Sequence, residues 1–353
     1  MITIRNKLLS IPLIQGGMGI GVSLGNLAGH VAKCGGMGVI STAHPGYHQP
    51  NFYKDTLATN LKALDEEIKK AKEISGGKGM VAVNVMVAIV DYEEMVEQSI
   101  ASGVDAIISG AGLPLTLPKY TKDKDIAIAP IVSSGRVATL ICKTWDKKYH
   151  VIPDFIVIEG SEAGGHLGFD KDDLMQHKTE SLEKILADVL KAIEPYETKY
   201  DRKIPIFVAG GIYTGKDIRH FLDLNASGVQ MATRFITTHE CDASDAYKQA
   251  FLDCHKEDIQ IVKSPVGMPG RAIKTKLIER LNEGERIPLT HCFNCLKPCD
   301  PKTTPYCISM ALIKAVEGNI DEGLVFCGSN AYRNNKIVHV EELIDELMKE
   351  CEE

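Results

Sequence analysis

The sequence predicts an α/β fold, a (β/α)8 TIM barrel with a Cys- and Pro-rich C-terminal appendage. Eight short apolar strands alternate with helical stretches over roughly 240 residues, which is the size and rhythm of such a barrel. Several of these strands end in a glycine-rich turn. The rhythm stops near residue 256, after which prolines and cysteines accumulate. We therefore expect the barrel at residues 1–256 and a C-terminal segment packing on it at residues 257–353.

The first repeat is a strand–helix–strand unit. Leu13–Ile14 is a short apolar strand, and Leu24–Cys34 carries apolar residues at helical spacing. Gly35–Gly36 ends this helix, and Met37–Ser41 is the next strand. Two strands joined by a helix are parallel, as the barrel requires.

The turn after the first strand, Gly16-Gly-Met-Gly-Ile-Gly, partly matches a dinucleotide-binding fingerprint. A Rossmann unit places an acidic residue at the end of its second strand. Here that strand ends in Ser41-Thr-Ala-His, so the sequence does not favour a Rossmann domain. The competing fold, a doubly wound open sheet, is disfavoured because this acidic residue is missing and because the eight repeats are nearly uniform.

The later repeats follow in the same order. Further strands are predicted at Met80–Met86, Ala106–Ser109, Ile126–Val132, Phe155–Ile158, Ile204–Val208 and Gly228–Met231. Helices are predicted at 51–75, Asp91–Ser102, Val137–Lys148, Ser181–Ile193, Gly215–Leu224 and from Ser244 to about His255. In the C-terminal segment we expect a Cys-rich loop at 291–307 and helices at Ile308–Glu317 and Val340–Cys351, the last on the surface.

Composition narrows the class of protein. The chain has 353 residues, 44% of them hydrophobic, and a formal net charge of -7. Its basic residues are scattered, so no nucleic-acid partner is expected. No apolar run approaches the roughly 20 residues that span a bilayer, and the N-terminus does not resemble a signal peptide. These features predict a cytoplasmic protein without a membrane partner, whose ten cysteines are mostly reduced thiols.

The candidate catalytic loop follows the strand Phe155–Ile158. It reads Glu159-Gly-Ser-Glu-Ala-Gly-Gly-His-Leu-Gly and so combines four glycines with two carboxylates and one imidazole. In TIM barrels, catalytic residues lie on the loops at the carboxyl ends of the strands. We therefore predict that His166 is catalytic; the alternative is a solvated histidine in an ordinary turn.

The turns after the seventh and eighth strands predict a phosphate site. Ala209-Gly-Gly-Ile follows the seventh strand, and Gln230-Met-Ala-Thr-Arg begins in the eighth strand and runs past its end. Glycines leave backbone N–H groups uncovered there, and this is where barrels commonly bind phosphate. Asn84 is a lone amide in an apolar strand, and the sequence leaves open whether it bonds to the backbone or to a ligand.

The Cys-rich loop has the spacing C-x2-C-x3-C-x7-C, formed by Cys292, Cys295, Cys299 and Cys307. Four thiolates can hold a structural zinc ion or an iron–sulfur cluster. However, the spacing matches neither a zinc ribbon nor a ferredoxin. A metal site and a set of reduced thiols therefore both remain open.

Taken together, these motifs resemble those of the nitronate monooxygenase family, formerly called 2-nitropropane dioxygenase. They are Ile14-Gln-Gly-Gly-Met-Gly, the Asn84 strand, Gly110-Ala-Gly-Leu-Pro, Glu162-Ala-Gly-Gly-His-Leu-Gly, Ala209-Gly-Gly-Ile and Gln230-Met-Ala-Thr-Arg-Phe. The resemblance extends to the related flavin-dependent enoyl-acyl-carrier-protein reductases. It implies an FMN-binding barrel in which His166 matches the active-site histidine. The cofactor-binding residues it implies are Gly16, Gly17, Met18, Asn84, Glu159, Gly165, Gly210, Gly211, Gln230, Met231, Ala232 and Thr233.

The resemblance also implies a function. The expected activity is oxidation of small alkyl nitronates with O2. The alternatives are reduction of an enoyl thioester by NAD(P)H, and a regulatory protein that binds flavin or metal without catalysis. The core motifs do not separate the first two, and the long C-terminal segment favours the monooxygenase. A homodimer is compatible with this interpretation.

Overall fold

A computed structural model describes residues 1–353 and confirms the predicted TIM barrel. Its first two strands form an antiparallel hairpin that the sequence analysis did not predict, β1 (Ile2–Ile4) and β2 (Lys7–Leu9). The eight barrel strands are β3 (Leu13–Gln15), β4 (Met37–Ser41), β5 (Met80–Met86), β6 (Ala106–Gly110), β7 (Ala127–Val132), β8 (Ile156–Glu159), β10 (Ile206–Ala209) and β11 (Gly228–Met231). They close in the order β10-β11-β3-β4-β5-β6-β7-β8.

Side chains along each barrel strand point alternately into the barrel and towards the helices, which gives two apolar layers. On β4, Met37 and Val39 belong to the cluster inside the barrel, whereas Ile40 belongs to the cluster beneath the helices. On β5, Met80 points inward and Val81 points outward in the same way. Because both faces of each strand are covered, the strands are apolar almost throughout, as parallel strands usually are.

The predicted helices are present with small shifts at their ends. They are α1 (Gly25–Lys33), α2 (Thr56–Ser75), α3 (Tyr92–Ala101), α5 (Gly135–Tyr149), α7 (Leu182–Tyr200), α8 (Gly215–Asp223), α10 (Asp245–Leu252), α12 (Ile308–Val316) and α13 (Val340–Glu352). The second helix begins five residues later than predicted, because the Asp55 carboxylate caps it by accepting from the Ala58 N–H. Four short helices were not predicted: α4 (Leu117–Thr121), α6 (Lys171–Met175), α9 (Thr233–Ile236) and α11 (Lys276–Asn282).

A second, small sheet lies outside the barrel, and the sequence analysis did not predict it. It consists of β9 (Gly165–His166), β12 (Ile259–Lys263), β13 (Pro269–Ile273) and β14 (Val325–Phe326). Strand β13 pairs antiparallel with β9, so that Gly270 lies opposite His166. The candidate catalytic loop is thereby attached to the C-terminal part of the chain.

The last helix, α13, lies at the surface with one face buried against the barrel. Its residues Val340, Leu343, Ile344 and Leu347 are buried. The helix comes so close to α8 that a Cβ atom at Gly215 would lie 2.1 Å from the Leu347 carbonyl oxygen. Only the charged face of this amphipathic helix is exposed, as expected for a helix that packs on a barrel. None of the helices has the length and apolar character to span a membrane.

Candidate active site

A cavity of about 230 Å³ opens at the carboxyl ends of the barrel strands. The structure brings every predicted catalytic and cofactor-binding residue to its wall: Gly16, Gly17, Met18, Asn84, Glu159, Gly165, His166, Gly210, Gly211, Gln230, Met231, Ala232 and Thr233. Residues from five barrel strands and the turns after them therefore meet in one place, although their individual roles stay predictions.

The turn after β3 forms one wall. The buried Gln15 side chain supports this turn, because its Oε1 accepts from the Val39 N–H at 3.1 Å. A Cβ atom on Gly17 would lie 2.6 Å from the Asn84 Cβ, so the turn requires glycine at this position. The hydrogen bonds of Asn84 within the protein involve its backbone, for example its carbonyl, which accepts from the Thr42 hydroxyl, whereas its side chain lines the cavity. That side chain can therefore bond a ligand.

The turns after β10 and β11 form the neighbouring wall, since β11 pairs with β3. Gly210 and Gly211 have φ angles of +106° and +79°, a conformation that glycine adopts without strain. Their backbone N–H groups donate to no acceptor in the protein. Two uncovered amides at adjacent positions can bind an anion such as a phosphate.

The segment Phe326–Asn330 covers this wall. The Thr233 Oγ1 accepts from the Gly328 N–H at 3.0 Å, and the Asn330 Nδ2 donates to the Gly211 carbonyl at 2.7 Å. From the sequence alone, Phe326-Cys-Gly-Ser-Asn is a candidate for a segment that returns to the barrel mouth, without a catalytic role for Cys327, and the structure places it there.

His166 lies in the cavity wall. Its Nε2 is 2.8 Å from the Ser264 Oγ, which also accepts from the Val266 N–H at 3.3 Å. The edge of the imidazole meets the Phe326 ring, with the centroids 4.9 Å apart. Burial lowers the pKa of His166 to about 4, so the ring is neutral near pH 7. The side chain that orients the imidazole by a hydrogen bond is Ser264.

Glu159 ends β8 and faces the same cavity. Desolvation raises the pKa of its carboxyl group to about 8. The side chain is therefore protonated near neutral pH and can donate a hydrogen bond, which an ionised carboxylate cannot do.

The raised pKa of Glu159 predicts a pH-dependent stability. Between about pH 4.5 and 8 the folded protein holds a proton that the unfolded chain releases, so the free energy of unfolding falls as pH rises through this window. In the cofactor-free protein, Glu159 should account for about 2–3 kcal/mol of this decrease in unfolding free energy, less than the full pKa shift would give, because solvent in the open cavity screens the carboxyl group. Glu159→Gln should abolish that part of the decrease. Urea unfolding of both proteins at pH 5 and pH 8 measures the difference. An equal fall in the variant would contradict the prediction.

The four cysteines of the Cys-rich loop do not come together as a ligand group in this structure. All ten cysteines are free thiols, and no group of three or more His, Cys, Asp or Glu side chains is arranged to hold a metal. Cys292 is exposed, whereas Cys295 is largely buried and accepts a hydrogen bond from Ser309. Burial raises the pKa values of Cys295, Cys299 and Cys307, so these thiols are protonated at neutral pH.

A TIM barrel whose strand exits surround a glycine-lined cavity with a neutral histidine belongs to the enzymes that act at the carboxyl face of the barrel. The family comparison is more specific. The model of the nitronate monooxygenase family matches residues 3–350, so the chain belongs to this family of oxidoreductases.

Individual relatives are more distant. The chain is 25% identical to a probable nitronate monooxygenase of Staphylococcus saprophyticus, over 78% of this chain and 79% of the relative. It is 26% identical to the (3aS,4S,5R,7aS)-5-hydroxy-7a-methyl-1-oxo-octahydro-1H-indene-4-carboxyl-CoA dehydrogenase of Mycobacterium tuberculosis, over 78% of this chain but 66% of that relative. Among solved structures, FabK from Thermotoga maritima superposes with a TM-score of 0.73 at 23% identity, covering 98% of this chain and 93% of FabK. At this level of identity, the similarity to FabK shows the fold alone.

Proposed function

We propose that this protein is an FMN-dependent oxidoreductase that oxidises alkyl nitronates with O2. The observation that carries the proposal is one cavity in which free backbone amides lie on one wall and a neutral, buried histidine on another. Membership of the nitronate monooxygenase family supports the choice of reaction.

The cavity fits FMN in two respects. The free amides of Gly210 and Gly211 suit a phosphate, and Ala232–Thr233 at the next exit extends the same wall. The Asn84 amide and the glycines at 16 and 17 suit a flat ring with polar edges, because all three residues line the cavity and the glycines bring its wall close to the backbone. When bound, FMN supplies the electron acceptor for oxidation of the substrate.

His166 suits a role in proton transfer or anion binding. Its Nε2 is engaged by Ser264, and no group in the protein bonds its Nδ1. If Nε2–H donates to the Ser264 Oγ, Nδ1 carries a lone pair and can accept the α-proton of a neutral nitroalkane, which converts that compound into the nitronate to be oxidised. Burial keeps this nitrogen unprotonated at neutral pH, as a general base requires.

The C-terminal segment belongs to the site in this proposal. Ser264 and Phe326 contact His166, and Gly328 bonds Thr233. We propose that residues 1–256 provide the cofactor-binding barrel and that residues 257–353 complete it over the mouth.

An enoyl-thioester reductase that uses NAD(P)H is the second candidate. It is favoured by the relative that is named for a carboxyl-CoA substrate. The same cavity serves either reaction, because both place the substrate beside the cofactor and His166.

Anaerobic rapid mixing separates the candidates. We expect propyl nitronate to bleach the flavin absorbance of the FMN-loaded protein, and to do so at least tenfold faster than NADH or NADPH at equal concentration. Admission of O2 should then restore the yellow colour. Faster bleaching by a reduced nicotinamide would favour the reductase. Bleaching by neither compound would favour a flavin-binding protein without this chemistry.

A further inference from the structure

A second, smaller cavity of about 50 Å³ adjoins the main cavity beside His166. We call it the side cavity. The two cavities share six wall residues: Thr42, Ala43, Met86, Ile89, His166 and Leu312. The residues that line the side cavity alone include the apolar side chains Ile20, Met95, Val266, Leu296 and Ile308. Its volume is that of roughly four water molecules, or of an alkyl chain of a few carbons.

The Cys-rich loop forms the roof of the side cavity. It pairs with the turn after β5, where the Val90 N–H donates to the Cys295 carbonyl at 3.0 Å and the Lys297 N–H donates to the Ala88 carbonyl at 2.9 Å. Ile89 and Leu296 form a β-bridge between these two bonds. The loop is therefore fixed to the barrel rim, which gives this motif a structural role without a metal.

The polar groups of the side cavity are already bonded to one another. The Asn60 Oδ1 accepts from the Gly46 N–H, which fixes the orientation of the amide, so its Nδ2 donates to the His44 Nδ1 at 3.0 Å. The proton of His44 is then on Nε2 and is directed at the Ser309 Oγ, 3.0 Å away. The Ser309 hydroxyl in turn donates to the Cys295 Sγ at 3.1 Å.

Two further groups are also engaged. The Thr42 hydroxyl donates to the Asn84 carbonyl at 3.0 Å, and the His166 Nε2 bonds Ser264. Among the polar side chains of this wall, only Asp91 has no partner. A ligand in the side cavity finds apolar surface and almost no free donor, so polar ligands would lose their hydrogen bonds to water without replacement.

We propose that the side cavity is a binding subsite for the unbranched apolar arm of the substrate whose reactive end lies at His166. The arm passes between Met86 and Leu312 and ends against Met95, under the roof of the Cys-rich loop. This inference rests on the proposed function for the position of the reactive end, but the length and polarity of the arm follow from the side cavity alone.

Calorimetric titration of the FMN-loaded protein with straight-chain carboxylates of two to eight carbons, which share the planar anionic head of a nitronate but are not oxidised by flavin, tests the subsite without turnover. We expect the affinity to rise about fourfold for each methylene group until the side cavity is full, and then to level off. Met95→Ala should move this plateau one or two carbons higher, and Met95→Phe should move it lower. Val96→Ala, a buried neighbour on α3 that does not line the side cavity, should leave the plateau unchanged.

The chain-length plateau tests the proposed subsite, and bleaching of the flavin tests the proposed oxidation independently. A plateau at the same length in wild type and Met95→Ala would overturn the proposal even if Met95→Phe fails to fold, and so would affinity that does not depend on chain length. A plateau that moves as expected, with no bleaching by any nitronate, would support the subsite and refute the proposed oxidation.

Discussion

His166→Ala is expected to lower kcat/KM for neutral nitroalkanes by about 10²–10⁴-fold while FMN stays bound, because their α-proton must be removed before oxidation and positioned proton transfer contributes that much. The substitution removes the one imidazole that faces both the main cavity and the side cavity. It leaves the amides of Gly210 and Gly211 in place at the end of β10. Steady-state kinetics and the flavin absorbance of the purified variant measure the two effects separately.

A second histidine serves as the matched control. His220 is exposed on α8 and forms its side-chain hydrogen bond with Glu183 on the surface, far from the cavity lining, so His220→Ala should leave kcat/KM within about twofold. Ser264→Ala should give an intermediate loss, because the imidazole remains but its partner is gone. Full activity in His166→Ala would remove this residue from the proposed mechanism.

The barrel could be predicted from the sequence because its signals are local. Each strand is an apolar run short enough to recognise, and Asp55, Ser134, Ser181 and Thr214 cap the helices that follow. The glycines at the strand exits were also visible, because their backbone conformation requires glycine whatever lies around them. All exits of a parallel barrel open on one face, so the sequence predicted that these residues would meet.

The surroundings of His166 could not be predicted in the same way. Its partner Ser264 lies about one hundred residues further along the chain, and Gly270 pairs with it across a sheet that no local pattern indicated. Strands of two residues such as β9 and β14 carry no periodicity. The depressed pKa of His166 likewise results from burial by distant segments, so the sequence showed the residue but not its protonation state.

The proposed phosphate site at Gly210–Gly211 can be tested by comparing two glycines that have the same backbone conformation. Gly211 and Gly77 both have φ +79°, but a Cβ atom at Gly77 meets no atom within 4 Å, whereas at Gly211 it would lie 3.2 Å from the Glu162 Cβ. Each substitution by alanine should cost about 1–2 kcal/mol of stability, since both force a side chain into the left-handed region. Only Gly211→Ala also disturbs the loop that presents the two free amides.

We therefore expect Gly211→Ala to raise the Kd for FMN about 10- to 100-fold, the loss of one or two hydrogen bonds to a charged group. Gly77→Ala should bind FMN as the wild type does. Because riboflavin lacks the phosphate, its Kd should change by less than about threefold in both variants. Fluorescence titration of the cofactor-free proteins measures all of these constants. An equal loss for riboflavin and FMN in Gly211→Ala would mean that the variant damages the ring site, and the phosphate would then have to bind elsewhere on the barrel face.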